Sequence, residues 1–438
     1  MARAGIAAAS VLAAAVVASQ TQAQSITTLI KEGDTVPGVG VVQGTDGYAV
    51  NSSGEWIVEA DTNNADTNTD LVLLKTGAIY WRENDPIFGA NISSWDDHSL
   101  NNNSELFGNI FLRNATTSTD SGIHLNKQQV IQESTVSTAP QFSAGTPYIG
   151  WFGTKINDSR QGILMSSVDD PNITWTVDRA LVFMNVGANG SLLNENVIAK
   201  EGDLLPGAPS AVTDLETDSN EFELANNGHV IYGATLTGTT NNNAIYRWDG
   251  TANNLVALEG GNSPVAGRTW ANLASARVAL SGNGAHYAHS GVLSGDTATD
   301  NVLIRDGSVF KQEGDNVTTA SGTWQFTSFG TVGPLVDDSG NVVWYGDWND
   351  PVTTQDTGIF YNNQLVVQEG VTQIDGLTVV TVRSFADTLV MSDNGRFILF
   401  EAELTGGLEG AFMIQVPEPA SLSLLGVSAV ALRRRHRR

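Results

Sequence analysis

The sequence has no cysteine and few basic residues, and each absence removes a class of protein. Without cysteine there can be no disulfide framework, no thiol nucleophile and no cysteine metal site. Charged residues are only 16 % of the 438 residues, with 22 Lys and Arg against 47 Asp and Glu. A net charge of −25 should repel nucleic acid and anionic lipid, so we expect no nucleic acid as a partner.

What the sequence does contain indicates a large β protein. The 10 Trp, 15 Phe and 8 Tyr supply apolar surface that disordered chains lack. The 45 glycines and the repeated Asn and Thr residues are poor helix formers, so a helix-rich fold is disfavoured. The composition therefore predicts a turn-rich, mostly β protein whose core is large enough to need no disulfide bonds.

The first 23 residues have the features of a secretory signal peptide. Arg3 supplies a positive start, residues 6–18 form an apolar run, and Ala23 is the small residue expected before a cleavage point. We therefore predict a signal helix at residues 1–23, removed when the protein is exported.

The other end of the chain carries a second signal. It begins with Pro417, Glu418 and Pro419, continues with an apolar stretch at 420–432, and closes with Arg433, Arg434, Arg435, Arg437 and Arg438. Thirteen helical residues span about 20 Å, less than the roughly 30 Å hydrocarbon core of a bilayer. The arginines would nevertheless hold the end in the cytoplasm as a membrane stop while the body lies outside.

This three-part order resembles the PEP-CTERM sorting signal of exported bacterial proteins. The resemblance implies an exosortase-type membrane protease as a partner and transient anchoring in the inner membrane of a Gram-negative bacterium. It also implies later release to the cell surface or the extracellular matrix. It covers only the last 22 residues, so we predict three parts: a signal peptide at 1–23, a repeat domain at 24–416 and a sorting and anchor segment at 417–438, whose apolar stretch forms a hydrophobic helix.

A strand that runs into Glu-Gly, or into a degenerate copy of it, recurs along the body. The seven marker glutamates are Glu32, Glu83, Glu133, Glu201, Glu259, Glu313 and Glu369, which lie 50 to 68 residues apart. A turn followed by an apolar strand lies about midway in each unit, as at Asn227-Gly228 and Asn394-Gly395. Asn-Gly between apolar segments is a strong hairpin signal, because both central residues of a type I′ turn need positive φ.

Each unit has room for four short strands: one after Glu-Gly, one before the mid-unit turn, one after it, and one leading to the next Glu-Gly. Four strands in about 50 residues predict a β-propeller of seven four-stranded blades, with six or eight blades as alternatives. The last unit lacks a strand, and the N-terminal strand at 25–31 would complete it and hide two sheet edges. An open β-solenoid and two separate sandwiches are the alternative folds.

The mid-unit turns also resemble the NxxGxxAF tandem repeat of exported, anchor-bearing bacterial proteins. Asn51 and Gly54 keep the spacing of that repeat, whereas Ala225 and Ser392 occupy the first Asn position in other units. No chemistry is assigned to that family, so the resemblance implies architecture only.

Motifs that would carry chemistry are few. Asp66, Asn68 and Asp70 alternate as the oxygen ligands of a Ca²⁺ loop do, but the sharp-turn Gly and the bidentate Glu of an EF-hand are missing. We interpret this loop as a solvated hairpin tip and keep a Ca²⁺ site as the alternative. The marker glutamates are interpreted as structural corners in which Gly supplies backbone freedom.

Exposed aromatic residues and the signals suggest two functions. Five tryptophans would either stack on sugars or pack between blades, and packing is the commoner role: Trp95, Trp151, Trp270, Trp324 and Trp348. Our first hypothesis is a non-catalytic binding or structural module of the cell envelope or extracellular matrix, with extracellular polysaccharide as its ligand. The alternative is a secreted carbohydrate-active hydrolase or lyase that uses carboxylates at the central opening.

Overall fold

The computed structural model describes residues 25–417, except residues 114, 173–177, 216–220, 239, 241, 275 and 386. These described residues form 36 β-strands joined by turns, with no helix among them. Within the same range, accordingly, no helix is long and apolar enough to cross a membrane. The all-β class is confirmed, whereas the signal helix and the C-terminal hydrophobic helix lie outside the described residues.

Seven antiparallel sheets form the blades of a propeller, and strand β1 (Ser25–Lys31) precedes them in the chain. Blade 1 contains β2 (Thr35–Val36), β3 (Gly40–Val50), β4 (Trp56–Thr62), β5 (Val72–Lys75) and β6 (Ala78–Arg82). Blade 2 contains β7 (Pro86–Ile87), β8 (Ala90–Leu100), β9 (Leu106–Arg113), β10 (Ser121–Leu125) and β11 (Gln128–Gln132). Blade 3 contains β12 (Tyr148–Ile156), β13 (Gln161–Val168), β14 (Asp178–Val186) and β15 (Leu192–Lys200).

The second half of the ring repeats this plan. Blade 4 contains β16 (Val212–Leu215), β17 (Phe222–Leu224), β18 (Val230–Leu236), β19 (Asn243–Trp248) and β20 (Asn253–Leu258). Blade 5 contains β21 (Trp270–Asn272), β22 (Val278–Leu280), β23 (Tyr287–Leu293), β24 (Asn301–Arg305) and β25 (Ser308–Gln312). Blade 6 contains β26 (Asn316–Thr318), β27 (Thr323–Ser328), β28 (Leu335–Val336), β29 (Val342–Trp348), β30 (Thr357–Tyr361) and β31 (Gln364–Gln368). Blade 7 contains β32 (Gln373–Ile374), β33 (Leu377–Val382), β34 (Leu389–Met391), β35 (Phe397–Leu404) and β36 (Leu408–Gln415).

The division of each unit into strands differs from the prediction in one respect. In blade 4, the two strands predicted before the mid-unit turn are segments of one inner strand, because β16 and β17 both pair with β18. The outer strand β20 pairs with β19 and supplies the fourth strand. Inner strands are broken in the same way in blades 5 to 7. A blade thus has four strands, and the mid-unit turn joins the first to the second.

The N-terminal strand closes the ring. Strand β1 pairs antiparallel with β36 as the outer strand of blade 7, with Ser25 opposite Gln415 and Lys31 opposite Gly410. Ile30 of this strand is buried against blade 1. The predicted closure and the count of seven blades are both confirmed.

The cores lie between neighbouring blades, because each sheet is covered on both faces. Val343 of blade 6 and Ile398 of blade 7 are fully buried in one cluster that these two blades share. Phe400 and Phe412 face each other in the same cluster with ring centroids 5.6 Å apart. Sheets covered on both faces need consecutive apolar residues, and β35 has them.

The strand order gives the propeller two distinct ends. Inner strands run from the Glu-Gly corners, at the end that we call the mouth end, to the mid-unit turns, at the turn end. Strand β36 ends and β1 begins at the turn end, where the Val416 N–H donates to the Arg396 carbonyl at 2.8 Å. Both chain termini therefore leave the propeller there.

Deletion of residues 25–31 should open the ring. The loss of Ile30 burial and of the β1–β36 hydrogen bonds should lower the free energy of unfolding by roughly 3–5 kcal/mol, measured by urea denaturation. A synthetic peptide of residues 24–33 should restore stability, and the same peptide carrying Ile30→Asp should not. An unchanged denaturation midpoint after the deletion would show that β1 does not close the ring.

Candidate functional site

The seven mid-unit turns form a closed hydrogen-bonded circuit around the channel, which we call the turn ring. In blades 1 to 3 an Asn side chain at the first turn position donates to the next turn: Asn51 to the Asn101 carbonyl (3.2 Å), Asn101 to the Asn157 carbonyl (3.1 Å) and Asn157 to the Ala225 carbonyl (2.9 Å). The same Asn oxygen caps its own turn, since Asn51 Oδ1 accepts the N–H of Glu55 at 3.1 Å.

Blades 4 to 7 complete the circuit with different donors. The Asn226 N–H donates to the Gly282 carbonyl at 2.5 Å and the Asp338 N–H to the Asp393 carbonyl at 2.8 Å. The Asn283 side chain links blade 5 to Asp338 at 3.0 Å. From blade 7, the Asn394 side chain donates to the Ser52 carbonyl of blade 1 at 2.9 Å, which closes the circle.

Asp393 ties this ring together across the channel axis. Its Oδ2 accepts the side-chain amide of Asn102 from blade 2 at 2.9 Å and that of Asn226 from blade 4 at 3.1 Å. Burial raises the pKa of Asp393 to about 6, with Asp338 and Asp158 adding to the rise and the Asn102 hydrogen bond opposing it. Side chains from three non-adjacent blades therefore obstruct the channel at the turn end.

Above this obstruction lies a cavity of about 160 Å³, lined by all seven inner strands. Its walls differ in character. Blades 5 to 7 supply an apolar wall of Ala279, Leu280, Leu335, Val336, Leu389, Val390 and Met391. Blades 2 to 4 supply most of the polar lining, including His98, Ser99, Lys155, Glu223 and Asn226. Ligand pockets commonly combine apolar walls with a few placed polar groups.

Lys155 is the distinctive group of the polar wall. Its Nζ lies 3.9 Å from Glu223 Oε2, which is too long for a hydrogen bond, and it donates no hydrogen bond to any residue in the described range. Burial disfavours its charge, but Glu223, Asp97 and Asp387 together outweigh burial and raise the pKa of Lys155. The ammonium stays protonated, with its donors available to a ligand.

Carboxyl groups with raised pKa values surround the cavity toward the mouth end. Burial raises the pKa of Asp97 to about 7, against the opposing effects of Lys155 and of the Thr154 N–H, which donates to Asp97 Oδ2 at 2.6 Å. Burial and then Asp46 raise the pKa of Glu59 to about 8, although the Trp95 indole N–H donates to it at 2.6 Å. At neutral pH Glu59 is therefore mostly protonated, whereas Asp97 is about half protonated.

A histidine completes the layer. Burial lowers the pKa of His98, so its ring is neutral at neutral pH. Its Nε2 lies 3.0 Å from the Gly47 carbonyl and its Nδ1 3.3 Å from the Asp96 carbonyl, and we assign the single ring proton to Nε2, which makes the shorter contact. His98 thereby fixes the inner strand of blade 2 against that of blade 1.

The marker glutamates hold the corners of the blades. Glu259 accepts the N–H groups of Asn243 (3.2 Å) in its own blade and Leu273 (2.8 Å) in the next. Glu369 accepts the N–H of Val382 at 2.7 Å in the same way. The residue after each marker has positive φ, whether it is Gly or, in the two degenerate copies, Asn84 (64°) or Ser134 (66°). The structural interpretation of these carboxylates agrees with their contacts.

The candidate Ca²⁺ loop lies on the rim at the mouth end. Asp66 Oδ1 accepts the N–H of Asn68 at 3.1 Å and its side-chain amide at 2.9 Å. The Arg113 guanidinium of blade 2 donates to Asn68 Oδ1. A positive charge therefore stands where the cation would bind. Within the described residues, no group of three or more acidic or histidine side chains could hold a metal ion.

The structure places the remaining predicted residues as follows. Pro417 follows β36 and is half-buried, whereas Glu418, Pro419 and the arginines at 433–435, 437 and 438 lie outside the described residues. Four of the five tryptophans pack in the core with at most 6 % exposure, namely Trp95, Trp151, Trp270 and Trp348. Trp324 is half-buried.

Sequence reasoning missed the residues of the cavity. Lys155, Glu223 and Asp97 are not close in the sequence, and only the ring brings their strands together. One signal was present: Lys155 is a lone lysine in a predicted inner strand, two residues before the turn that begins at Asn157. Phe385 was also missed, and it is 63 % exposed in the segment that carries Asp387.

The comparisons with known proteins identify a family and a sorting signal. Residues 75–306 match a family of unknown function, DUF7453, and residues 415–438 match the PEP-CTERM protein-sorting motif. No curated protein matches the sequence. The motif implies an exported protein that an exosortase-type membrane protease processes, and it suggests transient membrane anchoring in a Gram-negative bacterium.

Several solved structures share low similarity with the chain. Puromycin hydrolase is 11 % identical, with 82 % of this chain and 50 % of that chain covered and a TM-score of 0.42. TolB from Acinetobacter baumannii is 13 % identical over 86 % of this chain and 79 % of that chain, with a TM-score of 0.33. Trypanosoma rangeli sialidase, in complex with the inhibitor DANA, is 11 % identical over 94 % and 62 %, with a TM-score of 0.32. The chain spans half the length of puromycin hydrolase, and these similarities carry no argument about its activity.

Replacing Glu259 with Ala should destabilise the corner between blades 4 and 5. The N–H groups of Asn243 and Leu273 would lose a buried acceptor, so we expect a loss of roughly 3 kcal/mol in urea denaturation. Asp61→Ala, which removes an exposed carboxylate, is the control and should leave the midpoint in place. Equal midpoints for the two variants would contradict a structural role for the corner.

Stability should fall as the pH rises through neutrality. A carboxyl whose pKa is about 8 in the folded protein, against an ordinary 4.5, adds stability that is fully present below about pH 4.5 and lost as the pH rises through 8. Glu59→Gln keeps the acceptor for Trp95 and should reduce the decline in the free energy of unfolding between pH 5 and 9 by roughly 2–4 kcal/mol, measured by urea denaturation at each pH. Asp249→Asn, at an exposed turn where hydrogen bonds lower the pKa, should leave the slope unchanged. A slope unaffected by Glu59→Gln would refute the assignment.

Proposed function

The chain belongs to DUF7453, a family of unknown function, and we propose that it is an exported, non-catalytic propeller that binds a ligand in its central cavity. Its place of action is the cell envelope or the extracellular matrix, with extracellular polysaccharide as the ligand class. One observation carries the proposal: a half-buried, protonated lysine faces a cavity with an apolar wall and donates no hydrogen bond to the described residues around it.

Donors without acceptors are costly inside a protein, so a cavity of this kind favours a ligand that accepts from Lys155. Glu223, 3.9 Å from the ammonium, offers acceptors beside those donors. The two groups together suit hydroxyl groups, which both donate and accept. The apolar wall of blades 5 to 7 suits the carbon face of the same molecule.

The two ends of the chain support a route to the outside. In this proposal residues 1–23 are removed as a signal peptide, 24–416 form the mature propeller, and 417–438 are sorted and cleaved by the exosortase-type protease. Both termini leave from the turn end, so an anchored propeller presents its mouth away from the membrane. The resemblance of the turns to NxxGxxAF repeats stays a prediction that rests on the turn residues alone.

A second candidate function is a secreted carbohydrate hydrolase or lyase. The observation that favours it is the pair of raised pKa values near the cavity, about 7 for Asp97 and about 8 for Glu59. A carboxyl with a pKa near the working pH is suited to general acid–base catalysis. The charge of Lys155 also acts on Asp97, and a charged neighbour of this kind is common beside the reacting carboxyl of an enclosed active site.

A glycan array and a hydrolysis screen on residues 24–416 test the two functions against each other. We expect stable binding to at least one polysaccharide class and no products, with binding unchanged by Asp97→Asn. Turnover that Asp97→Asn abolishes would replace the binding proposal with the enzymatic one. Neither binding nor turnover on any glycan would overturn both.

A further inference from the structure

Resting on the proposed binding function, we propose that the cavity receives the end of a neutral glycan chain, one terminal sugar ring at a time, and does not bind internal segments of a polymer. The obstruction at the turn end, the volume of the cavity and the chemistry of its two walls support this mode of binding.

The obstruction decides the mode of entry. The Asp393 carboxylate accepts hydrogen bonds from Asn102 and Asn226 across the axis, and the turn ring holds these residues in place. A polymer cannot pass through a channel that these side chains span. A ligand must enter at the mouth end and stop at Asp393, which only a chain terminus can do.

The volume decides how much of the chain enters. The cavity measures about 160 Å³, and an engineered protein cavity of roughly 150 Å³ accommodates one benzene ring. One sugar ring therefore fills the cavity, and the next ring lies in the mouth. Phe385 is 63 % exposed in the segment of blade 7 that carries Asp387, and the Thr331 hydroxyl donates to the preceding Ser384 carbonyl at 2.6 Å. An exposed aromatic face is suited to stack on the carbon face of the second sugar.

The charges decide which sugars fit. Asp46, Asp96 and Asp387 are exposed around the mouth, and Glu223 lies inside, so an acidic sugar is repelled. The protonated Lys155 repels an amino sugar at the inner end. A neutral sugar meets neither penalty, and its hydroxyl groups can bridge the 3.9 Å gap between Lys155 and Glu223 while its carbon face packs on the apolar wall.

Isothermal titration of the full chain, purified in detergent, tests the inference. The probes are neutral pentoses, hexoses and 6-deoxyhexoses, their uronic acid and amino sugar counterparts, and a neutral polymer of the best-bound sugar. We expect neutral sugars to bind best. We also expect one protein molecule to bind per polymer chain at every chain length. Partial hydrolysis of internal bonds should therefore raise the number of protein molecules bound per mass of polymer in proportion to the chain ends created.

Three variants assign the binding to this cavity. Lys155→Met should weaken binding of the neutral sugar by roughly 10- to 100-fold. Phe385→Ala, at an exposed site that cannot disturb the core, should weaken disaccharide binding several-fold and leave the monosaccharide unchanged. Lys127→Met, at an exposed turn on the propeller surface, is the matched control and should bind as the unaltered protein does. If Lys155→Met fails to fold, Glu223→Gln and Phe385→Ala carry the test.

The unfavourable outcomes separate the two proposals. Capacity that follows polymer mass and not the number of ends overturns the chain-end inference and leaves the binding function intact. Tightest binding of a uronic acid or an amino sugar does the same. Equal binding by the Lys155→Met and Lys127→Met variants shows that the ligand lies elsewhere, and binding of no sugar at all overturns the proposed function as well.

Discussion

The circuit of hydrogen bonds between the seven mid-unit turns is the constraint on which the rest of the propeller depends. Each turn offers a carbonyl or carboxylate to its neighbour, so the inner strands cannot shift singly along the axis. Because the inner strands are fixed in height, Lys155 and Glu223 stand level with each other on adjacent blades. The same circuit brings Asn102 and Asn226 to Asp393 and gives the cavity a floor. The depth of the cavity, its floor and its polar wall all follow from the repeated mid-unit turn.

The architecture could be predicted because short local motifs that recur along the sequence determine it. A Glu before a residue with positive φ, and a turn with Gly or Asn, each have a local physical reason, and both recur seven times. The division into strands was less accurate, because β16 and β17 both pair with β18 and together form one inner strand. Local patterning does not reveal that two short apolar runs share a single partner.

The cavity could not be predicted, because its members meet only through ring closure. Asp393 and Asn102 are 291 residues apart and belong to blades 7 and 2, which are not neighbours in the ring. The pKa of Asp97 likewise depends on burial, on Lys155 and on Asp387, and these three residues belong to three different blades. No periodicity encodes which blade faces which across an axis, so a lysine in an inner strand looked like any other strand residue.

Ring closure by β1 also determines when, relative to synthesis of the chain, the propeller can form. Ser25 is among the first residues of the body to be synthesised and Gln415 among the last, so their pairing has one of the longest sequence separations the chain allows. Contacts of such long range form late in folding. The nascent chain must therefore leave the ribosome, and cross any membrane, with the circle open and blade 7 lacking its outer strand. The ring closes only when β1, made at the start of translation, pairs with β36, made at its end, and the cavity does not exist until they pair.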